Sequence, residues 1–400
     1  MNNFDVIVIG AGIIGLAGAY KILESDPSLK ICILEKENGI ARHQSGHNSN
    51  VIHSGIYYKP GSLKAINCIK GYSMMVDFCQ SNNIPYDLCG KMIVATSDKE
   101  EERLNNLYKR GKENGLDDIE LLSGEELTKR EPNITGIKAI YIPYTGITDF
   151  KLVCKALYDD IVKKGGKVFL DSKVMGIETG NVCTVKTSSG DYSAKYVVNC
   201  AGLYSDVIAR YFISDISIKI LPFRGEYFWV KKGEERKINS LIYPVPDPAF
   251  PFLGVHLTKT IDGRTEAGPN AVPAFRREGY KKSDINLKEL WDFVSYRGAL
   301  KLFRKYYKTG LAEIHRSFSK NAFTKSIKRF MPGISTSDLS YGGAGVRAQA
   351  CDRDGNIIDD FVIYETERSI NVCNAPSPAA TSSLSIGKTI SDKLMNKINH

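Results

Sequence analysis

FDVIVIGAGIIGLAGAYKILESDPSLKICILE, residues 4–35, is the stretch of sequence that decides the fold. It opens with a β-branched run ending at a glycine, which is typical of a short buried strand. The next residues have the apolar spacing of a helix as far as the turn-forming pair Asp26-Pro27, and KICILE follows as a second buried strand. A strand, a helix and a strand within about 30 residues are the βαβ unit of a parallel sheet. The sequence therefore predicts an α/β fold.

Gly10, Gly12 and Gly15 fit the pattern G-x-G-x-x-G at the turn between the first strand and the helix. Gly10 permits the tight turn, Gly12 lets the backbone approach a pyrophosphate, and Gly15 lets helix and strand pack closely. Glu35 lies 20 residues after Gly15, where a carboxylate accepts hydrogen bonds from a ribose. We interpret the unit as a dinucleotide site. The acidic residue argues against a 2′-phosphate, which leaves NAD or FAD.

The composition is that of an ordinary globular protein. Of 400 residues, 42% are hydrophobic and 25% charged, which excludes a disordered or fibrous chain. Single cores stop growing near roughly 250–300 residues, so two interleaved domains are expected. The apolar run 6–20 is shorter than the roughly 20 residues of a membrane span and lacks the preceding cations of a signal peptide, so we expect a cytoplasmic protein. Nine cysteines without a close CxxC pair indicate reduced thiols.

The middle of the chain returns to a sheet and then changes character. A helix is predicted over Leu152 to Lys164, followed by three strands with turns at Gly180-Asn181 and Gly190-Asp191. The region from about Leu221 to Phe275 is rich in aromatics and prolines, which favours an antiparallel sheet in a separate lobe. Helical patterns follow over 287–330, and the chain closes with a strand, a proline-containing turn and a helix from about Ala379.

YVVNCAG, residues 196–202, is a strand that ends in the small residues Ala201 and Gly202. In two-domain flavoproteins a returning strand of this type passes near the FAD, since only small residues let the backbone come so close. Its position after a long insertion favours FAD over NAD. The alternative is a core strand with an ordinary turn.

RHQSGHNSNVIHSGIYYKPGSLK, residues 42–64, contains His43, His47 and His53 among small polar residues. It has neither a helical period nor a simple alternation, so we predict an irregular loop that lines a cavity. No Asp, Glu or Cys lies among the three histidines, and no metal site is predicted.

These segments together resemble the FAD-dependent D-amino acid oxidase and glycine oxidase family, and within it the L-2-hydroxyglutarate oxidases or dehydrogenases. The resemblance covers essentially the whole chain. It is carried by GAGIIG (10–15) with Glu35, GHNSNVIHSGIYYKPGSLK (46–64), PFRGEYFWV (222–230), PFLGVHLTKTIDGRTEAGPNAVPAF (251–275), GAGVRAQACDRDG (343–355) with IDDF (358–361), and NAPSPAATSSLSIG (374–387).

The resemblance implies FAD as the cofactor and a two-domain α/β flavoprotein. A discontinuous Rossmann-like FAD-binding domain is expected from residues 1–80, 146–215 and 336–400. A substrate domain with an antiparallel sheet and helices is expected from residues 81–145 and 216–335. Beyond the three glycines, Glu35, Ala201 and Gly202, the implied cofactor contacts are Arg42, Ser45, Asn48, Ser49, Val174, Gly345, Thr381 and Ser382, the last two at the start of the closing helix.

The resemblance also implies how a small dicarboxylate is held. In the family an arginine clamps the substrate carboxylate over the flavin, and Arg347 occupies that place; its planar fork suits a carboxylate. A five-carbon 2-hydroxy diacid needs a second cation, for which Arg224 ranks first and Lys59 and Lys259 follow. Tyr58, with Tyr57, is a further hydrogen-bond candidate.

Oxidation of such an acid moves a hydride to flavin N5 while the hydroxyl loses a proton to a base. Imidazole is the side chain best suited to this task, so His53 and His256 are the catalytic candidates. We slightly prefer His53 as the base, with His256 orienting the substrate. The alternative activity is oxidation of an amino acid such as glycine or sarcosine. A nucleic-acid-binding flavoprotein is a weaker alternative, and no nucleic acid is expected.

The segment 288–329 carries 11 Lys and Arg against three Asp and Glu, or +8 of the chain's net +9. One interpretation is a solvated helical face. The other is peripheral attachment to the inner face of an anionic membrane, where a quinone accepts the electrons. Molecular oxygen and a protein carrier are the other acceptors that the sequence leaves open.

Overall fold

The predicted βαβ unit is present in the computed structural model, which describes residues 2–247 and 253–399. Its strands are β1 (Asn2–Ile9) and β2 (Ile31–Leu34), and its helix is α1 (Ile13–Ser25). The two strands pair in parallel, as the sequence predicts.

The described residues form eighteen further strands. They are β3 (Val51–Ile52), β4 (Tyr86–Asp87), β5 (Lys91–Ala95), β6 (Glu120–Ser123), β7 (Lys138–Ile142), β8 (Gly146–Thr148), β9 (Lys167–Phe169), β10 (Val174–Glu178), β11 (Cys183–Thr187), β12 (Gly190–Asn199), β13 (Ile218–Val230), β14 (Leu241–Pro244), β15 (His256–Lys259), β16 (Thr265–Gly268), β17 (Val272–Pro273), β18 (Leu339–Asp352), β19 (Val362–Glu365) and β20 (Ser369–Asn374).

Nine more α-helices are present in the described ranges. They are α2 (Leu63–Ser81), α3 (Asp98–Glu113), α4 (Gly124–Arg130), α5 (Phe150–Lys163), α6 (Ser205–Ala209), α7 (Leu287–Val294), α8 (Arg297–Phe318), α9 (Lys320–Lys328) and α10 (Ser383–Asn399). In this part of the chain, no helix combines the length and apolar character needed to cross a membrane.

The first sheet has eight strands, in the order β10-β11-β12-β1-β2-β9, with β20 paired to β12 and β19 to β20. Its centre is parallel because β1 lies between β2 and β12, and β20 joins β12 in the same sense. Helices α1, α5 and α10 pack together on this sheet through a continuous apolar core. The carboxyl ends of β1 and β12 meet at one edge, which is where a doubly wound sheet binds its ligand.

The second sheet has nine strands, in the order β17-β13-β16-β15-β14-β5-β7-β6, with β18 along β13. Most neighbours are antiparallel, as predicted, but β14 and β5 run parallel. Strand β18 falls in a segment expected in the FAD-binding domain, yet it pairs with β13 from Leu339 to Asp352. The first two residues of the motif at 251–275 lie outside the described residues. A small third sheet joins β3, β8 and β4.

The closing helix begins later than expected. The sequence predicts a helix from about Ala379, whereas α10 starts at Ser383 and the residues before it form a turn. All nine cysteines are free thiols, and all but Cys89 are buried as packing residues.

Candidate active site

A cavity of about 1250 Å³ extends from the glycine-rich turn of the first sheet to the inner wall of the second sheet. Typical small-ligand pockets have roughly 300–1,000 Å³, so this one has room for a dinucleotide and a second small molecule. Its walls come from the turn after β1, the loop 42–58, the end of β12, strands β13 and β18, and the turn before α10. The predicted irregular loop therefore lines the cavity.

The glycines of the βα turn have the roles that the sequence assigns to them. Gly10 has a φ of 102°, and a Cβ there would lie 2.6 Å from the carbonyl oxygen of Cys200. A Cβ on Gly15 would lie 2.0 Å from the carbonyl oxygen of Gly10, so this glycine serves helix–strand packing. Gly10 and Gly12 line the cavity and Gly15 does not.

Glu35 lies at the end of β2 beside this turn and lines the cavity. Its Oε2 accepts a hydrogen bond of 2.8 Å from the backbone N–H of Ala11, and its Oε1 accepts one of 3.0 Å from Glu37. The side chain is only 8% exposed. The carboxylate is thus held in a fixed orientation next to the N-terminus of α1.

The loop 42–49 is hydrogen-bonded to helix α1 and to strand β18. Ser45 Oγ accepts a hydrogen bond of 2.8 Å from the backbone N–H of Ile13, at the start of α1. Gln44, which sequence reasoning missed, accepts one of 3.0 Å from the backbone N–H of Ala348. A Cβ on Gly345 would lie 2.4 Å from the carbonyl oxygen of His47, so glycine is needed where β18 passes the loop.

Most of the predicted cofactor contacts converge on the cavity. In addition to Gly10, Gly12 and Glu35, those that line it are Arg42, Ser45, Asn48, Ser49, Val174, Ala201, Gly202, Gly345 and Thr381. Ser382 does not line it, because the backbone of Ser382 packs against Gly71 of α2. Thr381 Oγ1 accepts a hydrogen bond of 3.1 Å from the backbone N–H of His53 and so ties the turn before α10 to the histidine loop.

Both catalytic candidates, His53 and His256, line the cavity. The His256 ring stacks on Tyr243, with ring centroids 3.9 Å apart and planes 17° apart. Its Nδ1 lies 3.1 Å from the carbonyl oxygen of Gly254. Burial lowers the pKa of His256 to about 3, and burial also holds the pKa of His53 well below its usual value. Both imidazoles are therefore neutral at neutral pH.

Arg347 reaches the cavity from β18, whereas Arg224 does not. The lining residues of β13 are Gly225 and Tyr227, and side chains alternate along a strand, so Arg224 points to the other face. It donates a hydrogen bond of 3.1 Å to the carbonyl oxygen of Lys281 and lies 3.6 Å from Glu226. The structure therefore does not support Arg224 as the second substrate cation.

Lys59 and Lys259, which we considered from the sequence as alternative second cations for the substrate, do not line the cavity. Lys59 is exposed, and Lys259 pairs with Asp87 at 3.2 Å. Lys64, at the start of α2, does line the cavity and pairs with Asp359 at 2.7 Å. Its ammonium lies 4.8 Å from the ring centroid of Tyr58, which also lines the cavity.

Helix α3 contributes two further cations, Arg103 and Arg110, to the cavity lining. Arg103 lies 3.3 Å from Asp247, and Arg110 donates a hydrogen bond of 3.2 Å to the carbonyl oxygen of Tyr57. Sequence reasoning missed these arginines because they lie on the polar side of an amphipathic helix, which is where solvated charges are also found.

His43 lies beside two carboxylates, Glu37 from the preceding segment and Glu278 from a distant part of the chain. His43 Nε2 lies 3.0 Å from Glu37 and 3.2 Å from Glu278. Lys36 lies 2.6 Å and 2.5 Å from the same two carboxylates. Because an ammonium already supplies the positive charge, we interpret this cluster as an ion-pair network.

The glycine-rich turn and Glu35 form a dinucleotide site, and cationic side chains line another wall of the same cavity. This arrangement defines a dinucleotide-binding enzyme whose substrate binds against the cationic wall. The chain belongs to the FAD-dependent oxidoreductase family, whose model matches residues 5–393. FAD is therefore the cofactor. The site fits it: glycines stand where backbone approaches the cavity, and the buried Glu35 carboxylate lies beside the helix N-terminus.

Three related sequences illustrate the similarity. The chain is 53% identical over 390 residues to an L-2-hydroxyglutarate dehydrogenase of Indibacter alkaliphilus, covering 97% of this chain and 98% of that protein. It is 43% identical over 393 residues to one from Escherichia coli K12, covering 98% and 93%. The mitochondrial L-2-hydroxyglutarate dehydrogenase of Homo sapiens is 41% identical over 414 residues, covering 99% and 89%.

Solved structures share the fold. An FAD-bound L-alpha-glycerophosphate oxidase from Mycoplasma pneumoniae superimposes with a TM-score of 0.81 at 24% identity, covering 99% of this chain and 95% of that one. A glycine oxidase from Geobacillus kaustophilus superimposes with a TM-score of 0.74 at 16% identity, with the same coverage.

Proposed function

We propose that this enzyme oxidises L-2-hydroxyglutarate to 2-oxoglutarate. The names of the related dehydrogenases support this substrate. The observation that carries the proposal is the presence, in one cavity, of Arg347 and two neutral imidazoles, His53 and His256. A cation for a carboxylate and a base for a hydroxyl proton are the two groups that a 2-hydroxy acid requires.

Arg347 binds the carboxylate next to the carbinol carbon, since its planar fork makes two parallel hydrogen bonds to a carboxylate. The second carboxylate of the diacid then lies towards Lys64 or the arginines of α3, which share the same cavity. Lys64 is the stronger of these candidates because it is only 7% exposed and its ion-pair partner is on the surface. Tyr58, whose ring lies next to the Lys64 ammonium, also lines this end of the cavity.

His256 is the base that the hydrogen bonds support, in place of the slight preference for His53 from the sequence. A carbonyl oxygen only accepts, so the contact with Gly254 places the proton of the neutral ring on Nδ1. Nε2 then carries the lone pair that takes the hydroxyl proton. His53, whose backbone is held by Thr381, orients the hydroxyl or a carboxylate.

The residues that hold the FAD are those around the turn. Backbone groups at Gly10 and Gly12 and the N-terminus of α1 would hold its pyrophosphate, Glu35 its ribose, and the turn at Thr381 its flavin, since all of them line the cavity. The flavin supplies the two-electron acceptor for the oxidation. The protein supplies the base and the carboxylate clamp.

The experiment that tests this function is the anaerobic visible spectrum of the purified enzyme before and after addition of L-2-hydroxyglutarate. The D-enantiomer and glycine are the controls. Loss of the oxidised-flavin band with the L-acid alone supports the substrate and its handedness together. Bleaching by glycine, or by none of the three, contradicts the proposal.

For the electron acceptor we propose a membrane quinone, reached by peripheral attachment through α7 and α8. One face of α8 carries large apolar side chains that are exposed to solvent, whereas such a face is usually buried against the core. They are Tyr307, Leu311, Ile314 and Phe318, and Leu311 and Phe318 are 62% and 75% exposed. On α7, Leu287 and Trp291 are 78% and 71% exposed. Contiguous exposed apolar side chains of this size mark an interaction surface.

Basic residues surround this apolar face and argue for an anionic lipid surface. Arg304, Lys305 and Lys308 are exposed on α8, within the segment that carries +8. An amphipathic helix with large apolar residues and flanking cations lies in the plane of a membrane interface.

A further inference from the structure

Lys91, the first residue of β5, is a buried cation behind the wall of the cavity. Its side chain is 1% exposed. The ammonium lies 4.2 Å from the ring centroid of Tyr57 and 3.9 Å from that of Tyr243, and both rings line the cavity. Among residues 2–247 and 253–399, no Asp or Glu forms an ion pair with it. Two aromatic faces therefore hold the ammonium in place of a carboxylate.

Tyr243 connects this ammonium to the proposed base. The Tyr243 ring contacts the Lys91 ammonium at 3.9 Å and also stacks on the imidazole of His256 at 3.9 Å. Strand pairing fixes the arrangement, because β5 and β14 run side by side with Ile93 opposite Tyr243. His256 follows on β15, the next strand of the sheet.

In the part of the chain that the structure describes, no carboxylate near the two histidines offsets the positive charge of Lys91. Facing His256 are Lys91 from β5, Tyr243 from β14 and Arg347 from β18. Facing His53 are Lys91, His256 and, from α2, Lys64. Cys68 of α2 is a neutral thiol, since burial raises its pKa to about 12.

Burial lowers the pKa of Lys91 to about 7, so the ammonium is fully charged only in acidic solution. After burial, which is the largest cause, the positive charge of Lys91 helps to lower the pKa of both histidines. A doubly charged substrate bound beside them offsets that charge and makes each imidazole a stronger base.

We propose that Lys91 is a positioning residue for the proton-accepting imidazole: its ammonium, which has no carboxylate partner among the described residues, lowers the basicity of His256 and His53, and a dicarboxylate bound in the cavity relieves this effect. This inference rests on the proposed function for the identity of the dicarboxylate. It does not require Lys91 to touch the substrate.

The test compares Lys91→Met and Lys91→Arg with the wild-type holoenzyme. In Lys91→Met we expect the acid limb of kcat/KM for L-2-hydroxyglutarate to move to higher pH by about one unit, because a nearby positive charge is lost. Lys91→Arg keeps the charge and restores the wild-type profile. NMR titration of labelled imidazoles in the FAD-loaded enzyme without substrate gives a second readout, with His53 and His256 assigned from Gln variants.

The matched control is Lys219→Met. Lys219 is also buried and lies 5.2 Å from a tyrosine ring, but it pairs with Asp292 and does not line this cavity. Its removal should leave the acid limb unchanged.

The inference is overturned if folded, FAD-loaded Lys91→Met keeps the acid limb and the imidazole titrations of the wild type, even if its activity falls. If that variant does not fold, failure of Lys91→Arg to keep the wild-type titrations overturns it. Absence of any wild-type oxidation of L-2-hydroxyglutarate overturns the proposed function instead, since the titration readout needs no substrate.

Discussion

Glu313 of α8 accepts a hydrogen bond of 3.0 Å from the backbone N–H of Ala271. The carboxylate is 2% exposed, and Ala271 lies two residues after Pro269, which lines the cavity. Helix α8, which carries the exposed apolar and basic face, is therefore hydrogen-bonded to a loop that forms part of the wall of the active site. If α8 binds the membrane as we propose, this wall would lie close to the lipid surface.

Trp291→Ser combined with Phe318→Ser removes a highly exposed apolar side chain from each of α7 and α8. We expect it to abolish the salt-resistant part of binding to vesicles containing anionic lipid, measured by co-sedimentation. Val182→Ser, which removes an exposed apolar residue of the turn between β10 and β11, is the control. Equal binding by the double variant and the wild type would rule out this face as the contact.

Replacement of Arg304, Lys305 and Lys308 by Ser tests the electrostatic part of the same contact. Each cation near an anionic surface contributes about 1 kcal/mol, so vesicle affinity at low salt should fall about 100-fold. The loss should disappear in high salt and on vesicles of neutral lipid. An affinity that does not depend on these residues contradicts the attachment.

His256→Gln should slow anaerobic bleaching of the flavin by L-2-hydroxyglutarate by about 10²- to 10⁴-fold, the usual contribution of a positioned base. His53→Gln should have a smaller effect, because we assign it an orienting role. His315→Gln, on an exposed position of α8, is the control. A larger loss in His53→Gln than in His256→Gln would exchange the two roles.

Arg347→Gln and Arg224→Gln separate the two arginines that the sequence suggests for carboxylates. The first should weaken substrate binding about 10- to 100-fold, since it removes charged hydrogen bonds. The second should leave KM unchanged but lower the Tm, because Glu226 is only 1% exposed and loses a cation. Steady-state kinetics and thermal unfolding distinguish them. A raised KM in Arg224→Gln with an unchanged Tm would return Arg224 to the site.

Stability of the substrate-free protein should depend on His256 below neutral pH. In the unfolded chain imidazole takes up a proton near pH 6.5, whereas the buried ring resists until about pH 3. The unfolded state thus binds more protons in this window, and the free energy of unfolding falls as the pH drops. Glu266, whose pKa burial raises to about 7, acts in the opposite sense. The check is therefore urea unfolding of the wild type and of His256→Gln at pH 7 and pH 5. If the free energies of unfolding of the two proteins differ by the same amount at both pH values, the prediction is refuted.

The βαβ unit, the dinucleotide site and the helical region 287–330 could be predicted from sequence because each depends on neighbours along the chain. Gly10, Gly15 and Glu35 act within one strand, turn and helix, and the structure places them as their spacing indicates. The histidine-rich loop was recognisable for the same reason, since its composition is incompatible with a helix or a regular strand.

What only the tertiary structure decided is which charges share the cavity. Arg347 and Arg224 lie on paired strands, but side-chain alternation sends one into the cavity and the other to the opposite face. Lys91 is far from His256 in sequence, and the two approach each other only because β5, β14 and β15 are neighbours in one sheet. Local sequence sets the conformation of each segment, whereas burial, strand register and the electrostatic field at a side chain depend on residues from every part of the chain.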